Sequence, residues 1–104
     1  MGFEDKVIVV DLDGTVCTIE EDYSRCQPMP GSIDALRTIR QKGYKVYIYT
    51  GRHINHFELT TRWLERNGVE YDHIVFGKPP AKYYVDDKGI QFTTWSKTLE
   101  KLGL

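Results

Sequence analysis

The chain has 104 residues, and its 40% hydrophobic and 12% aromatic content is enough for one compact core and too little for two, so we expect a single domain over residues 1–104. Its 14 basic and 15 acidic residues nearly cancel, which disfavours nucleic-acid and membrane partners and restricts any basic site to a local cluster. Two cysteines, Cys17 and Cys26, have neither metal-ligand spacing nor the density of a secreted disulfide scaffold, so we interpret them as free thiols.

The N-terminal segment MGFEDKVIVV does not resemble a secretion signal. It carries acids where a signal peptide has bases, and its apolar run is far too short to span a bilayer. Together with the free thiols, this segment favours a reducing cytoplasm as the location of the protein.

Strand and helix patterns alternate along the chain. The predicted strands are Val7–Val10, Lys45–Thr50, Asp72–Phe76 and Lys82–Asp87. Ser32 is predicted to cap the first helix, an Asn55/Glu58 pair that resembles a capping box to open the second, and Ser96 to cap a short terminal helix, while Gly43 and Gly68 end the first two. The continuous apolar run of the first strand is typical of a strand buried on both faces. This order indicates an α/β fold with a mainly parallel sheet.

Polar residues stand where each predicted strand ends. Asp11 and Asp13 follow the first strand, Thr50 ends the second, Lys78 comes just after the third, and the Asp86-Asp87 pair ends the fourth. Because an open parallel sheet binds ligands at the carboxyl ends of its strands, we expect these side chains to meet at one edge.

A cluster of these side chains suits few kinds of ligand. Four crowded carboxylates repel one another, so a hard cation is expected among them, and an oxygen-only ligand set without histidines favours Mg²⁺. A lysine and a threonine beside the metal suit a phosphoryl group, because the ammonium and the hydroxyl can both bind its oxygens. One carboxylate can then attack phosphorus.

These residues carry a family resemblance. DLDGT at Asp11 to Thr15, Thr50 in YTGR, Lys78 in FGKP and the acidic pair in YVDD resemble, in order, the four motifs of the haloacid dehalogenase superfamily of phosphatases and phosphotransferases. The likeness runs from Val7 to about Lys88. Within that superfamily the chain is similar to small bacterial proteins assigned to capsule or surface-polysaccharide biosynthesis. The resemblance implies a three-layer, Rossmann-like α/β fold with a mainly parallel central sheet.

The resemblance also implies a role for each catalytic residue. Asp11 is expected to be the nucleophile that becomes an aspartyl phosphate, and Asp13 the general acid and base. Thr50 and Lys78 are expected to hold the transferring phosphoryl group. The expected ligands of Mg²⁺ are the Asp11 carboxylate, the backbone carbonyl of Asp13 and the acidic pair, Asp86 and Asp87.

Four further residues are candidate substrate contacts. Gly14 lets the chain turn away without a side chain that would block the phosphate. Gly51, Arg52 and His53 follow Thr50 directly, close enough to reach a substrate. A solvated loop is the alternative for Arg52 and His53.

Family members often carry a cap domain inserted after the first motif or between the second and third. Here the first interval, 16–30, allows only a turn and a small flap, and the second, 52–77, is filled by one helix and one strand, so we predict a capless protein. An open site of this kind either accepts large substrates or is covered by a neighbouring subunit of a homo-oligomer.

The link between the third and fourth predicted strands is short. In the family's sheet it must cross two strands, and the six residues Gly77 to Lys82 only just suffice at ~4.8 Å between strands and ~3.3 Å per residue. We therefore predict an extended, non-helical link stiffened by Pro79 and Pro80.

Three functions follow as hypotheses. The first is a Mg²⁺-dependent phosphatase acting on a phosphorylated small molecule, a sugar phosphate or related intermediate of surface-polysaccharide synthesis. The second is a nucleic-acid end phosphatase, which the balanced charge disfavours. The third is a non-catalytic phospho-switch of the receiver type, which the order of the motifs disfavours.

Overall fold

The structure is a computed structural model that describes residues 6–104. The N-terminal interpretation rests partly on residues 1–5 and to that extent lies outside the described residues. Three parallel strands form the sheet in the order β1-β2-β3: β1 is Val7–Asp11, β2 is Lys45–Thr50 and β3 is His73–Phe76. The first three predicted strands are thus confirmed to within one residue at either end, and so is the α/β class with a parallel sheet.

Three α-helices connect and follow the strands: α1 is Ser32–Gln41, α2 is Phe57–Arg66 and α3 is Trp95–Leu102. Their predicted starts were partly wrong. Gly31, in the left-handed region at φ 80°, precedes α1, and the Ser32 hydroxyl is buried without a hydrogen-bond partner. Thr94, not Ser96, caps α3 by accepting the Lys97 N–H.

The start of α2 also differs from the predicted capping box. A 3₁₀ turn, Ile54–His56, precedes the helix, and the His53 side chain caps that turn by accepting the Asn55 N–H. The Asn55 side chain makes no cap for α2, whose first residue is Phe57. A serine or an asparagine before an apolar run predicts a helix N-cap, but the geometry of the preceding loop decides which residue occupies the N-cap position.

Helices α1 and α2 bury their apolar side chains against one face of the sheet, and α3 packs on α1. Val10, Val46 and Ile48 alternate with outward residues along β1 and β2, and they join one core cluster with Leu36 of α1 and Leu64 of α2. Trp63 of α2 is 4% exposed and belongs to the same cluster, as does Trp95 of α3.

The opposite face of the sheet stays open in residues 6–104. Val9 is 59% exposed and Val75 40% exposed, and on the same face the rings of Tyr47 and His73 make an edge-on contact with centroids 5.3 Å apart. The expectation that β1 is buried on both faces was therefore wrong, because its apolar run supplies both the buried and the exposed positions. The described residues form the sheet and one helical layer of the expected arrangement.

The fourth predicted strand is not formed. Residues 82–87 have no regular structure, and every residue from 81 to 91 is exposed, with Val85 at 99%. Aromatic and β-branched residues favour a strand only when a neighbouring strand accepts their hydrogen bonds, and this segment pairs with none. The preceding link, 77–82, is non-helical as predicted, and Gly77 turns the chain at φ 86°.

No cap domain is inserted in the described chain. Between β1 and α1 the structure has a loop with one 3₁₀ turn, Tyr23–Arg25, and between β2 and β3 it has one 3₁₀ turn and α2. Within residues 6–104, none of the helices combines the length and the apolar character that crossing a membrane requires.

Candidate active site

Asp11 and Lys78 meet at the carboxyl edge of the sheet. Asp11 is the last residue of β1, and Lys78 comes two residues after β3 ends. The Lys78 Nζ lies 3.4 Å from the Asp11 Oδ1, and the Lys78 main-chain N–H donates to the Thr50 carbonyl at 2.9 Å. The Asp11 side chain keeps 40% of its exposure, so one end of this carboxylate is open to an incoming ligand.

Two aromatic rings surround the Lys78 ammonium. The Tyr84 ring centroid lies 4.3 Å from Nζ and the Tyr49 centroid 5.8 Å away, which are cation–π distances. The Tyr84 hydroxyl donates to the Pro79 carbonyl, which folds the segment back over the lysine. No local pattern marks Tyr84, because its contact depends on how an irregular segment folds.

Asp13 is paired with Arg52, a candidate substrate contact. The Arg52 Nε donates to Asp13 Oδ2 at 3.0 Å, and Nη2 donates to Oδ1 at 2.7 Å. The Arg52 side chain is only 2% exposed and the Asp13 side chain 25%. The alternative of a solvated loop was therefore wrong for Arg52, which points into the protein.

Two residues that sequence reasoning missed fix the guanidinium. Its Nη1 donates to the Thr60 hydroxyl at 3.0 Å, and the Tyr23 ring centroid lies 3.9 Å from Cζ. Burial alone would lower the pKa of Arg52, but the hydrogen bond and charge of Asp13 outweigh it and raise that pKa. The sequence contains a pattern that predicts burial of Thr60, because this polar residue lies on the same helical face as Trp63 and Leu64.

The two cysteines lie beside this ion pair. They are free thiols, as predicted, and both are buried. The Arg52 Nη2 lies 3.8 Å from the Cys17 Sγ and 3.4 Å from the Cys26 Sγ. Burial raises the pKa of the Cys17 thiol strongly, and the nearby Asp13 charge raises it further. Cys17 is therefore neutral at physiological pH.

The remaining candidate contacts shape the loops around the site. Gly14 adopts φ +85°, a conformation that favours glycine, and its N–H donates to the Cys17 carbonyl at 2.7 Å. A Cβ on Gly51 would lie 3.1 Å from the Lys78 carbonyl oxygen, so glycine lets the two loops approach. His53 is exposed, with its Nδ1 engaged in the turn described above. Thr50 is fully buried, and its hydroxyl accepts the Arg52 main-chain N–H.

The four predicted metal ligands are not gathered in one cluster. Among residues 6–104, the one trio of acidic, histidine or cysteine residues whose ligand atoms lie within 4.8 Å of one another is Asp13, Cys17 and Cys26. That trio does not suit Mg²⁺, which prefers oxygen, and the Arg52 cation already contacts all three side chains. Asp86 and Asp87 lie in the exposed segment, where the Asp86 carboxylate accepts the Lys88 N–H.

The oxygen donors at the end of β1 do fit a hard cation. The Asp11 carboxylate is partly exposed and carries a single ion-pair partner in the described chain, so it has lone pairs available for a metal or for attack on phosphorus. The nearby Lys78 ammonium can neutralise a phosphoryl oxygen. The Lys78 ammonium can therefore hold an anionic phosphate close to the Asp11 carboxylate, although both groups are negatively charged.

Known proteins share this fold and sequence pattern. The family profile described as haloacid dehalogenase-like hydrolase matches residues 8–71. A crystal structure of an MCSG target from Vibrio cholerae superposes with a TM-score of 0.76 at 30% identity, covering 94% of each chain. A chain of the Pnkp1/Rnl/Hen1 complex superposes with a TM-score of 0.61 at 27% identity, covering 78% of this chain and 31% of that one.

Curated relatives give the same family. The protein named "Putative nucleotidase OB0422" of Oceanobacillus iheyensis is 30% identical over 99 residues, covering 82% of this chain and 53% of its own. The pyridoxal phosphate phosphatase YbhA of Escherichia coli is 44% identical over 48 residues, covering 46% of this chain and 16% of its own. The chain thus spans about half the length of the first of these relatives. The match over residues 8–71, more than half of the chain, establishes that the chain belongs to the haloacid dehalogenase-like hydrolases.

Proposed function

We propose that the chain is a Mg²⁺-dependent phosphatase that hydrolyses a phosphomonoester through an aspartyl phosphate on Asp11. The observation that carries the proposal is the 3.4 Å contact between the Lys78 Nζ and the Asp11 Oδ1. A carboxylate that is partly exposed and held beside an ammonium can attack phosphorus, because the cation offsets the charge of the incoming phosphoryl oxygens.

The proposed reaction has two steps. In the first, an Asp11 oxygen bonds to phosphorus, the bond from phosphorus to the ester oxygen breaks, and Asp13 gives that oxygen a proton. In the second, Asp13 takes a proton from water, the water oxygen bonds to phosphorus, and the bond to Asp11 breaks. Lys78 holds the phosphoryl oxygens in both steps, and Thr50, which is fully buried, supports the loop behind the site by accepting the Arg52 main-chain N–H.

The metal part of the proposal rests on the donor atoms. The Asp11 carboxylate, the Asp13 main-chain carbonyl and the Asp86-Asp87 pair would together give the all-oxygen set that Mg²⁺ prefers. The described residues do not gather the acidic pair with the other two, so the pair would join them only when the ion is bound. When bound, the ion supplies positive charge that reduces repulsion between the nucleophile and the phosphate.

We infer that the substrate is a small phosphorylated molecule. The sugar phosphate of surface-polysaccharide synthesis expected from sequence stays one candidate. A nucleoside monophosphate is the second, and two relatives named as nucleotidases favour it. The balanced charge of the chain gives no support to a long nucleic-acid substrate, although the likeness to a chain of the Pnkp1/Rnl/Hen1 complex makes phosphorylated oligonucleotides a necessary part of the test.

The test is phosphate release by the wild type and Asp11→Asn, with Mg²⁺ and with a chelator. The panel contains sugar phosphates, nucleoside monophosphates, pyridoxal phosphate and 3′- and 5′-phosphorylated oligonucleotides. Release that needs both the metal and Asp11 supports the proposal, and the preferred class identifies the substrate. Equal release by Asp11→Asn would exclude Asp11 as the nucleophile. Stable phosphorylation of Asp11 without turnover would instead identify a phospho-switch.

A further inference from the structure

We propose that Arg52 is a positioning residue for Asp13 and acts in the second step, the hydrolysis of the aspartyl phosphate. This inference rests on the phosphatase function proposed above. Both Asp13 carboxylate oxygens accept hydrogen bonds from Arg52, at 2.7 and 3.0 Å. A two-point contact of this kind fixes the plane of the carboxylate as well as its position.

The guanidinium is itself held from three sides. Asp13 belongs to the turn after β1, Thr60 to α2 and Tyr23 to the 3₁₀ turn of the flap, and all three contact Arg52. The Arg52 side chain is 2% exposed, whereas the Asp13 side chain is 25% exposed. Arg52 therefore approaches Asp13 from inside the protein and leaves the outer side of the carboxylate to water and substrate.

Stability alone does not account for this pair. A buried ion pair loses much of its attraction to the desolvation of both charges, and well-packed apolar residues of similar volume often serve as well or better. Apolar residues could fill the space that Arg52 occupies, so packing alone does not explain a charged contact to Asp13, which lies two residues after the proposed nucleophile. Holding the Asp13 carboxylate in place is a use that explains the contact.

Arg52 fixes both oxygens of the Asp13 carboxylate, and the proton transfers of both steps depend on that orientation. One substrate isolates the second step. Formation of the aspartyl phosphate from p-nitrophenyl phosphate needs no proton from Asp13, since nitrophenolate leaves as a stable anion. Loss of Arg52 should therefore slow the release of phosphate from Asp11 and spare its formation from this substrate.

The experiment is rapid-mixing kinetics of Arg52→Ala with p-nitrophenyl phosphate and Mg²⁺. We expect a burst of nitrophenolate stoichiometric with enzyme, then steady-state turnover reduced roughly 100-fold, the low end of what a general base contributes. Acid quenching should trap phosphoenzyme that the wild type does not accumulate to the same level. The proposal would be overturned if Arg52→Ala slowed the burst and the steady-state turnover by the same factor. It would also be overturned if turnover were unchanged and no phosphoenzyme accumulated.

Two further variants keep the result interpretable. Arg62→Ala removes an exposed arginine of α2 that pairs with Glu58, and it should show wild-type kinetics. If Arg52→Ala fails to fold, Thr60→Val replaces it, because this change removes one anchor of the guanidinium and keeps both bonds to Asp13. Thr60→Val should show a smaller nitrophenolate burst of the same kind. A folded Thr60→Val protein without any burst would count against Arg52 as a positioning residue. Phosphate release that persists in Asp11→Asn would refute the phosphatase mechanism itself, whatever Arg52 does.

Discussion

The Lys78 ammonium lies 3.4 Å from the Asp11 carboxylate and 4.3 Å from the Tyr84 ring centroid, so one side chain contacts both the proposed nucleophile and an otherwise exposed segment. A cation in this place stabilises charge that develops on the phosphoryl oxygens during transfer.

Lys78→Ala should lower kcat/KM for phosphate release about 100- to 1000-fold, as expected when one charge-stabilising donor is removed. Steady-state kinetics on the best substrate of the panel measure this. Lys82→Ala is the matched control, because Lys82 is exposed and makes no contact with Asp11. A loss below tenfold for Lys78→Ala would contradict its role.

Asp11→Asn should abolish turnover without unfolding the protein. The carboxylate is the proposed attacking group, and its amide counterpart is a far weaker nucleophile. The Asp11–Lys78 pair is partly exposed, so its loss should cost about 1 kcal/mol or less of the free energy of unfolding. Thermal unfolding and phosphate release, measured on the same preparation, separate the two effects. A large fall in Tm would mean that lost activity reports lost structure.

Gly51→Ala should impair activity more than stability. Its Cβ would lie 3.1 Å from the Lys78 carbonyl oxygen, so the loop carrying Lys78 must shift by a few tenths of an ångström. A displacement of about 1 Å of a positioning group can cost on the order of 100-fold in rate, so this smaller shift should lower kcat by less than that. Gly43→Ala is the control, because its Cβ meets nothing within 4 Å although its φ of +96° is strained. We expect the control to lose stability, by about 1 kcal/mol, and to keep its kcat.

The Cys17 thiol should react slowly with alkylating agents in the native protein. Burial and the Asp13 charge raise the pKa of this thiol, and the thiolate is the reactive form. In the unfolded chain its pKa returns to about 8.5, so the unfolded state loses this proton first as pH rises. The contribution of Cys17 to stability is therefore complete below about pH 8.5 and is lost progressively above it.

Iodoacetamide labelling with and without denaturant tests the reactivity, and denaturant titrations between neutral and alkaline pH test the stability. In Cys17→Ser the alkaline loss of stability should be smaller than in the wild type. Rapid native labelling of Cys17 at neutral pH would contradict the prediction.

Asp86→Asn combined with Asp87→Asn should raise the Mg²⁺ concentration needed for half-maximal activity. The pair supplies two of the proposed oxygen ligands, and amides bind Mg²⁺ more weakly than carboxylates. Glu58→Gln with Glu100→Gln removes the same charge from exposed helical positions and should leave the Mg²⁺ requirement unchanged. An unchanged requirement in the Asp86/Asp87 variant would place the ion elsewhere.

The fold, and the place of Asp11 at the end of β1, could be predicted from local patterns. The apolar run before Asp11, the KVYIYT strand and the apolar spacing of the helices each depend on neighbours a few residues apart in sequence. Parallel strands place their carboxyl ends at one edge, so the meeting of Asp11 with Lys78 followed from strand order alone.

Tertiary structure decided what depends on a distant partner. Lys82 to Asp87 has strand-forming residues but no neighbouring strand to pair with, so in residues 6–104 the segment is irregular and its acidic pair forms no ligand cluster with Asp11 and Asp13. The sequence places Arg52 in a predicted loop. In the structure its side chain is nevertheless buried, because Asp13 and Thr60, which are far apart in the chain, together accept its hydrogen bonds. Sequence by itself determined which chemical groups the sheet edge carries. Long-range pairing determined which of them meet, because a buried charge or a strand is stable only where its partners are already in place.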